Sequence, residues 1–257
     1  MTVKNEPIIR VENFTAAYEE TVIIDNISFE VYRGEVFVIL GGSGCGKSTV
    51  LKHIIGLHEP ASGKIIIEGE DISKAIGEDR ISILKKIGVA YQSGALFGSM
   101  TILENVRLPL EEYTDLSPEA MDLISRMKLK LVGLMGFENH MPSEISGGMK
   151  KRAALARAMV LDPQILFLDE PSAGLDPITS AGLDQLILQL NRSLNITFVV
   201  VTHELPSIYA IADRVIMLDK RVKGIVATGN PKELREHSDN PWVRQFFNRE
   251  SESEAAA

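Results

Sequence analysis

The sequence predicts an α/β protein built on a mostly parallel sheet, and three observations lead to that fold class. Four apolar runs are strand-length and show no alternation, at 36–40, 165–168, 197–201 and 215–218. Such runs are typical of parallel strands that helices cover on both faces. Helical stretches alternate with them along the chain, at 47–57, 147–161 and 179–194. This alternation is the pattern of right-handed crossover units.

The segments before and inside this core have a different texture. Residues 8–14 and 22–31 alternate apolar and polar side chains, and GKIIIEGEDI (63–72) has a third strand pattern. The segment 93–157 carries no strong strand signal, and the Ser-Pro pair at 117–118 marks a helix start within it. We therefore expect a helical insertion in the α/β core.

The C-terminal end predicts one more helix. In DNPWVRQFFN (239–248), Trp242, Phe246 and Phe247 have the spacing of an amphipathic helix, which packs either on the chain's own core or on a partner subunit. The acidic tail ESESEAAA (250–257) has little apolar content to bury, so we expect it to be disordered.

Composition narrows the class of protein. The chain has 257 residues, a net charge of −8 and ordinary globular usage, which argues against a general nucleic-acid binder. Cys45 is the single cysteine, so no internal disulfide is possible and a reducing compartment is favoured. The N-terminus lacks the apolar core of a signal peptide, and no apolar run is long enough for a bilayer. We expect a soluble protein that would need a partner to work at a membrane.

The stretch GGSGCGKST (41–49) matches the phosphate-loop pattern and lies between a predicted strand and a predicted helix. Glycines let backbone N–H groups turn toward phosphate oxygens, and the helix N-terminus adds its dipole. Lys47 can reach the β- and γ-phosphates, and the Ser48 hydroxyl can bind Mg²⁺. The alternative is a glycine-rich connection without a ligand. The predicted nucleotide cradle comprises Gly41, Gly42, Ser43, Gly44, Cys45, Gly46, Lys47, Ser48 and Thr49.

Further polar residues follow other strand patterns. ILFLDEP (165–171) ends in Asp169 and Glu170, which strand alternation would send in different directions. One carboxylate can hold Mg²⁺ while the other acts as a general base toward water. Gln92 and His203 also follow strands. Taken one at a time, these residues have ordinary alternatives. Acids often begin a loop after a strand, a single glutamine such as Gln92 is usually a surface residue, and a histidine at a strand end such as His203 is more often structural than catalytic.

The stretch EISGGMKKR (144–152) combines a helix start with three cations. Ser146, Gly147 and Gly148 precede an Ala- and Leu-rich run, and Lys150, Lys151 and Arg152 fall in its first turn. Cations there oppose the helix dipole by roughly 0.3–1 kcal/mol each when exposed. Either an external polyanion offsets this conflict, or the residues form an exposed basic face.

In this order, the motifs resemble the ATPase subunit of ABC transporters over about 8–230. The resemblance implies a RecA-like phosphate-loop core with an N-terminal antiparallel β subdomain and an inserted α-helical signature subdomain. It also implies one ATPase domain at 1–247, with its core at about 1–92 and 158–230 and its helical subdomain at about 93–157. The C-terminal helix and tail then occupy 231–257.

The resemblance assigns roles within one chain. GGSGCGKST is similar to Walker A and ILFLDE to Walker B, with Glu170 as the catalytic acid. Gln92 matches the Q-loop glutamine and His203 the switch histidine. Tyr18, 23 residues before Gly41, stands where the family has an adenine-stacking aromatic. ATP and Mg²⁺ are the implied cofactors, and the implied metal residues are Ser48, Gln92 and Asp169.

It assigns other roles across a dimer. ISGGM (145–149) is similar to the family signature, and SAGLD (172–176), ending in Asp176, to the D-loop. Two copies are expected to close head-to-tail over two nucleotides, so that Ser146, Gly147 and Gly148 face the nucleotide of the partner. Met149 stands where the family usually has glutamine, which a thioether does not replace as a polar contact.

Longer strings indicate a subtype. QSGALF (92–97), SGGMKKRAALARA (146–158), DEPSAGLDPITS (169–180) and THELPSIYAIADRV (202–215) resemble the ATPases of MCE-type lipid transporters, and Met149 is typical of that group. These systems maintain outer-membrane lipid asymmetry. The implied partners are integral membrane permease subunits, an MCE-domain lipid-binding protein and a small STAS-like protein, with no nucleic acid. The implied location is peripheral, on the cytoplasmic side of the inner membrane.

Alternatives remain open at this point. Phe97 either borders the groove for a permease or packs the helical insertion. A cell-division-type or other membrane-coupled ABC ATPase that moves no lipid would share these motifs. An ABC ATPase acting on DNA or ribosomes fits the charge and the single module less well, and a P-loop kinase would lack the Ser-Gly-Gly signature.

Overall fold

The computed structural model describes residues 7–249, and the predicted disorder of the acidic tail lies outside them. Its strands form two sheets. The strands are β1 (Pro7–Tyr18), β2 (Thr21–Tyr32), β3 (Val36–Gly41), β4 (Ser62–Ile67), β5 (Glu70–Asp71), β6 (Ile87–Ala90), β7 (Ile165–Asp169), β8 (Thr197–Val201), β9 (Arg214–Asp219) and β10 (Gly224–Gly229).

The central sheet has the order β10-β9-β3-β8-β7-β6. Its pairs are parallel from β9 to β6, while β10 runs antiparallel to β9 at the edge. In β3, Phe37 and Ile39 face one apolar core, whereas Val38 and Leu40 face the other. Both faces of the sheet are therefore buried, which explains the continuous apolar runs and confirms the predicted fold class.

The second sheet is antiparallel, with the order β2-β1-β4-β5. Its apolar residues, such as Phe14 of β1 and Ile65 of β4, share a core with one face of the central sheet. The antiparallel β part expected from the resemblance is thus present.

Helices cover the central sheet, and three of them lie within the predicted insertion. They are α1 (Lys47–Ile54), α2 (Gly77–Lys85), α3 (Ile102–Tyr113), α4 (Pro118–Leu131), α5 (Gly147–Ala158), α6 (Pro177–Leu194), α7 (Leu205–Ile211), α8 (Pro231–His237) and α9 (Pro241–Asn248). Ser117 caps α4 as predicted, since its Oγ accepts a hydrogen bond from the Ala120 N–H at 3.3 Å. The sequence patterns did not predict α2, α7, α8 or β10, which are short and carry weak periodicity.

Helix α9 packs on the chain's own core, which decides between the two alternatives for the C-terminal helix. Val243 and Phe247 are its buried residues, four positions apart. The prediction was wrong in including Trp242 on the buried face. Trp242 is only half-buried, and Cζ of Arg221 lies 3.5 Å from the centroid of its ring, which is a cation–π contact.

Candidate nucleotide site

The predicted functional segments meet at one edge of the central sheet. Strands β3, β8, β7 and β6 are consecutive neighbours and run parallel, so their carboxyl ends share an edge. The phosphate-loop sequence follows β3, His203 follows β8, the acidic pair ends β7, and Gln92 follows β6. Open α/β sheets bind ligands at this edge.

The phosphate loop needs two of its glycines for steric reasons. A Cβ at Gly41 (φ 148°) would lie 2.3 Å from the Leu218 carbonyl oxygen, and one at Gly46 (φ 100°) would lie 2.6 Å from Ile24. The tip between them, Gly42 to Gly44, is exposed. The loop is thus held tightly at both ends and open at its tip, immediately before the N-terminus of α1, which favours an anion there.

Lys47 and Cys45 face opposite environments in this loop. Lys47 Nζ donates to the carbonyl oxygens of Gly41 at 2.9 Å and Gly42 at 3.1 Å. The ammonium is therefore held over the loop, where it can meet a phosphate. Cys45 is buried, and burial raises the pKa of its thiol, so the residue behaves as part of the core. Ser48 is exposed and Thr49 half-buried on the first turn of α1.

The acidic pair is separated by backbone conformation. Asp169 ends β7, but Glu170 adopts a left-handed conformation (φ 46°) and its N–H donates to the Val201 carbonyl at 2.8 Å. Strand alternation was therefore the wrong reason to expect the side chains of Asp169 and Glu170 to point in different directions, because Glu170 lies beyond the end of the strand. This left-handed conformation turns the Glu170 side chain out of the alternation of the strand.

Glu170 and His203 form a direct pair. Oε1 of Glu170 lies 2.7 Å from Nδ1 of His203, and Glu170 is only 9% exposed. Within residues 7–249, Oε2 of Glu170 and Oδ1 of Asp169 are buried and have no hydrogen-bond partner. Burial, and then the charge of Glu170, raise the pKa of Asp169, while the charges of Lys52 and then Lys47 act to lower it. Two buried carboxylate oxygens are thus available to a cation, to water or to a donor on a ligand.

The segment after β6 is held by side chains from the helical insertion. Gln92 itself is exposed, and its carbonyl oxygen accepts a hydrogen bond from Lys151 Nζ. Arg157 donates to the carbonyl oxygens of Gly94 at 2.9 Å and Ala95 at 2.8 Å. The buried amide of Asn105 bonds the backbone of Phe97, accepting at 2.7 Å and donating at 3.0 Å. The backbone from 92 to 97 is therefore fixed.

Helix α5 begins at an exposed Ser146, whose Oγ accepts from the Met149 N–H at 3.3 Å. Gly147 is exposed, but Gly148 is buried, and a Cβ there would lie 2.5 Å from Cγ2 of Thr179. The Met149 side chain packs against the apolar core. Ser146 and Gly147 are thus accessible to an external anion, whereas Gly148 is also required by packing within the chain.

Two of the three cations at this helix start have partners that neither open alternative included. Lys151 Nζ donates to the Gln92 carbonyl oxygen and, at 3.0 Å, to the Glu170 carbonyl oxygen, while Arg152 Nη1 donates to the Val132 carbonyl oxygen at 3.2 Å. Backbone carbonyl dipoles therefore offset part of their conflict with the helix dipole. Cations in the first turn of a helix were the sequence signal that these side chains have partners. No comparable signal indicated that Asn105 and Arg157 bind the backbone after β6.

Tyr18 and Asp176 complete the predicted set. Tyr18 is 44% exposed and meets His58 edge-on, with ring centroids 5.9 Å apart. Asp176 caps α6, since its Oδ1 accepts from the N–H groups of Ile178 and Thr179 at 3.0 Å each. The hydrogen bond from the Thr179 hydroxyl is the largest cause that lowers the pKa of Asp176, which keeps this carboxylate ionised.

This arrangement defines a P-loop nucleotide-binding protein. The ABC transporter family model matches residues 24–173, which is more than half of the chain. The chain belongs to this family, and it is an ATP-binding cassette ATPase.

Relatives and solved structures agree with this membership. The intermembrane phospholipid transport system ATP-binding protein MlaF of Haemophilus influenzae is 40% identical over 96% of this chain and 93% of its own length. MlaF of Escherichia coli K12 is 44% identical over 88% and 82%. The probable ribonucleotide transport ATP-binding protein mkl of Mycobacterium leprae is 44% identical over 93% of this chain, which spans 68% of that relative.

Among solved structures, a dimeric ATP-binding cassette in a post-hydrolysis state, bound to ADP and Pi, has a TM-score of 0.78 at 31% identity, covering 86% of this chain and 98% of its own. The cbiO1 protein of Clostridium perfringens, part of an ABC transporter complex, has a TM-score of 0.83 at 28% identity, covering 91% and 93%. Both confirm the fold. Over residues 7–249, none of the helices combines the length and the apolar character that a bilayer crossing requires.

Proposed function

We propose that two copies of this chain close head-to-tail over two Mg·ATP and hydrolyse them to drive phospholipid transport. The Glu170–His203 pair is the observation on which the catalytic part rests. The chain contributes a phosphate loop, a buried carboxylate and a histidine at one sheet edge. This is the set needed to bind a triphosphate and to direct water at its terminal phosphorus.

Glu170 is the general base in this proposal, and His203 orients it. The 2.7 Å contact from His203 Nδ1 holds Oε1, while the buried Oε2 is left to accept a proton from the attacking water. Lys47 moves from its loop carbonyls to the β- and γ-phosphates, and Tyr18 stacks on the adenine. The exposed tip from Gly42 to Gly44 supplies backbone N–H groups to the phosphates.

Mg²⁺ fits the donors present, and when bound it would neutralise charge on the phosphates. No group of three or more His, Cys, Asp or Glu side chains within residues 7–249 forms a metal cage. Mg²⁺ usually binds through one or two protein oxygens plus substrate phosphates and water. The Ser48 hydroxyl, the Gln92 amide oxygen and the buried, unpartnered Oδ1 of Asp169 are suitable hard donors.

The second half of each site comes from the other copy. Ser146 and Gly147 are exposed at the N-terminus of α5, where a partner's γ-phosphate would meet N–H groups and the positive end of the helix dipole. Asp176 is exposed at the start of α6, and the proposal assigns it to the same interface. The domain limits proposed for the working unit are a core at about 1–92 and 158–230, with the helical subdomain at about 93–157.

The transport proposal rests on likeness to MlaF. The match to the Haemophilus influenzae protein covers almost all of both chains, whereas the chain spans about two thirds of the mkl relatives. Phe97 is 50% exposed on a backbone fixed by Asn105, as a contact for a membrane permease would be. The further partners are an MCE-domain protein and a small STAS-like protein. The location is peripheral, on the cytoplasmic side of the inner membrane.

The catalytic proposal is tested with Glu170→Gln. The variant should bind ATP, form a stable dimer by light scattering and lose steady-state hydrolysis, because an amide cannot take up the proton. Glu112→Gln, at an exposed position on α3, is the matched control and should behave as the natural protein. Hydrolysis by Glu170→Gln at the natural rate would rule out the assignment of the base.

The dimer proposal is tested with Ser146→Arg. The side chain should block the approach of a second copy, so hydrolysis is lost while ATP affinity of the single chain is kept. Weaker ATP binding at protein concentrations below dimerisation would contradict the placement of Ser146 in the partner's site.

The transport proposal needs a substrate test. The chain is co-expressed with its membrane partners and the complex is reconstituted in liposomes. ATP-dependent movement of labelled phospholipid is expected, and it should vanish in Glu170→Gln. Movement of a ribonucleotide, or ATP turnover coupled to neither substrate, would refute the lipid assignment and leave the catalytic proposal intact.

A further inference from the structure

Lys151 joins two catalytic segments that lie on neighbouring strands. Its ammonium donates to the carbonyl oxygens of Gln92 and Glu170, the second at 3.0 Å. These carbonyls belong to the segments that follow β6 and β7, a parallel pair. Lys151 is half-buried, although it lies in the first turn of a helix whose start is exposed. The side chain is therefore drawn in from solvent toward the base rather than extended over the surface.

The same residue also belongs to the helix start that faces outward. Gly147 and Lys151 are four residues apart on α5, so they lie on one face of the helix. Gly147 is exposed, whereas the Lys151 ammonium lies against the backbone of the base. A helix transmits a displacement of its first turn as a rigid body, since its backbone hydrogen bonds are internal. An anion that moves Gly147 therefore also moves Lys151.

We propose that Lys151 is a positioning residue that links the exposed start of α5 to the backbone of Gln92 and Glu170. Docking of a partner-held phosphate at Gly147 thereby sets the place of the base in this chain's own site. This inference rests on the proposed dimeric function. It also explains how one cation is tolerated at the positive end of the helix dipole, because the Lys151 ammonium is bound by two backbone carbonyl oxygens.

The first test removes the ammonium. Lys151→Gln and Lys151→Met, which keeps most of the aliphatic stem, should each lower kcat by about 10-fold with KM for ATP changed less than about 2-fold, because the phosphate loop is untouched. Lys151→Arg keeps a cationic donor and should recover most of the rate. Lys150→Gln removes the same charge from the same turn and is the matched control. An unchanged kcat in both removal variants, or an equal loss in Lys150→Gln, would overturn the proposal.

The second test asks whether the link runs to the helix start. Gly147→Ala suits this purpose because, among residues 7–249 outside its own helix backbone and chain neighbours, the added Cβ meets the Leu175 side chain alone, at 3.8 Å. It should nevertheless hinder the approach of a partner phosphate and lower kcat. If Lys151 transmits that contact, the double variant with Lys151→Gln should be no slower than the slower single variant. Rate losses that multiply would refute the link.

The two proposals fail in different ways. Glu170→Gln is assayed beside these variants, and normal hydrolysis by it would refute the proposed base whatever Lys151 does. Loss of hydrolysis in Glu170→Gln together with normal kcat in Lys151→Gln and Lys151→Met would refute only the linking role. The melting temperatures of the Lys151 variants should be close to that of Lys150→Gln, which would show that their lower kcat is not caused by loss of folded protein. A loss of rate that follows the unfolded fraction of each variant would overturn the inference.

Discussion

Asp184 gives a quantitative prediction, because it is a buried carboxylate whose charge the fold does not favour. It lies in α6, is 6% exposed and accepts a hydrogen bond from the buried Ser207 of α7. Burial raises its pKa from 3.8 to about 6, the Ser207 bond opposes this, and the charge of Glu204 adds to it. The substitution Asp184→Asn removes the charge and keeps an oxygen that can accept from Ser207.

The sign follows from proton binding. Between pH 3.8 and about 6 the folded chain holds a proton at Asp184 that the unfolded chain has released. Stability therefore falls as pH rises through this window, and above it the ionised group costs the fold a constant amount. At about 1.4 kcal/mol per pKa unit the cost is ~3 kcal/mol, an upper value because local relaxation reduces it.

We expect Asp184→Asn to stabilise the protein by about 1–3 kcal/mol at pH 8, and by about half as much at pH 5, where the natural residue is largely protonated. Urea unfolding at the two pH values measures the difference. Asp115→Asn, at an exposed position between α3 and α4, is the control for removing one negative charge. A variant less stable than the natural protein at pH 8, or a gain independent of pH, would refute the reasoning.

Three further predictions concern the nucleotide site. Gly148→Ala should destabilise the fold by roughly 1–3 kcal/mol in thermal or urea unfolding, because its Cβ would lie 2.5 Å from Thr179. Gly147→Ala is the control, and equal stability of the two variants would contradict the close approach. Tyr18→Ala should weaken ATP binding by about 10-fold in calorimetry, whereas Tyr18→Phe should keep the natural affinity, since base stacking needs only the ring. An equal loss of affinity in the two variants would exclude stacking. Lys47→Ala should abolish the rise in melting temperature that saturating ATP gives the natural protein, and a persisting rise would place the phosphates elsewhere.

Local patterns predicted the elements that carry their own signal. The run at 197–201 coincides with β8, and the Ser-Pro pair starts α4 at Pro118. The phosphate loop was predictable because glycine, lysine and serine at this fixed spacing, between a strand and a helix, are typical of phosphate binding. Strand β10 was missed because it is a half-exposed edge strand without a continuous apolar run. Helices α7 and α8 were missed because each has only 7 residues, too few to show a helical period, and α8 is mostly charged.

The sequence by itself determined the family of this protein and predicted its chemistry: a nucleotide cradle, two carboxylates, a histidine and a signature segment, in the order typical of an ABC ATPase. Only the tertiary structure decided which groups meet. The left-handed turn at Glu170, its 2.7 Å contact with His203 and the two carbonyls bound by Lys151 join residues far apart in the chain. The reason is physical, since spacing along the chain fixes local geometry, whereas these contacts depend on the order of parallel strands, which is settled when the two faces of the sheet are buried together.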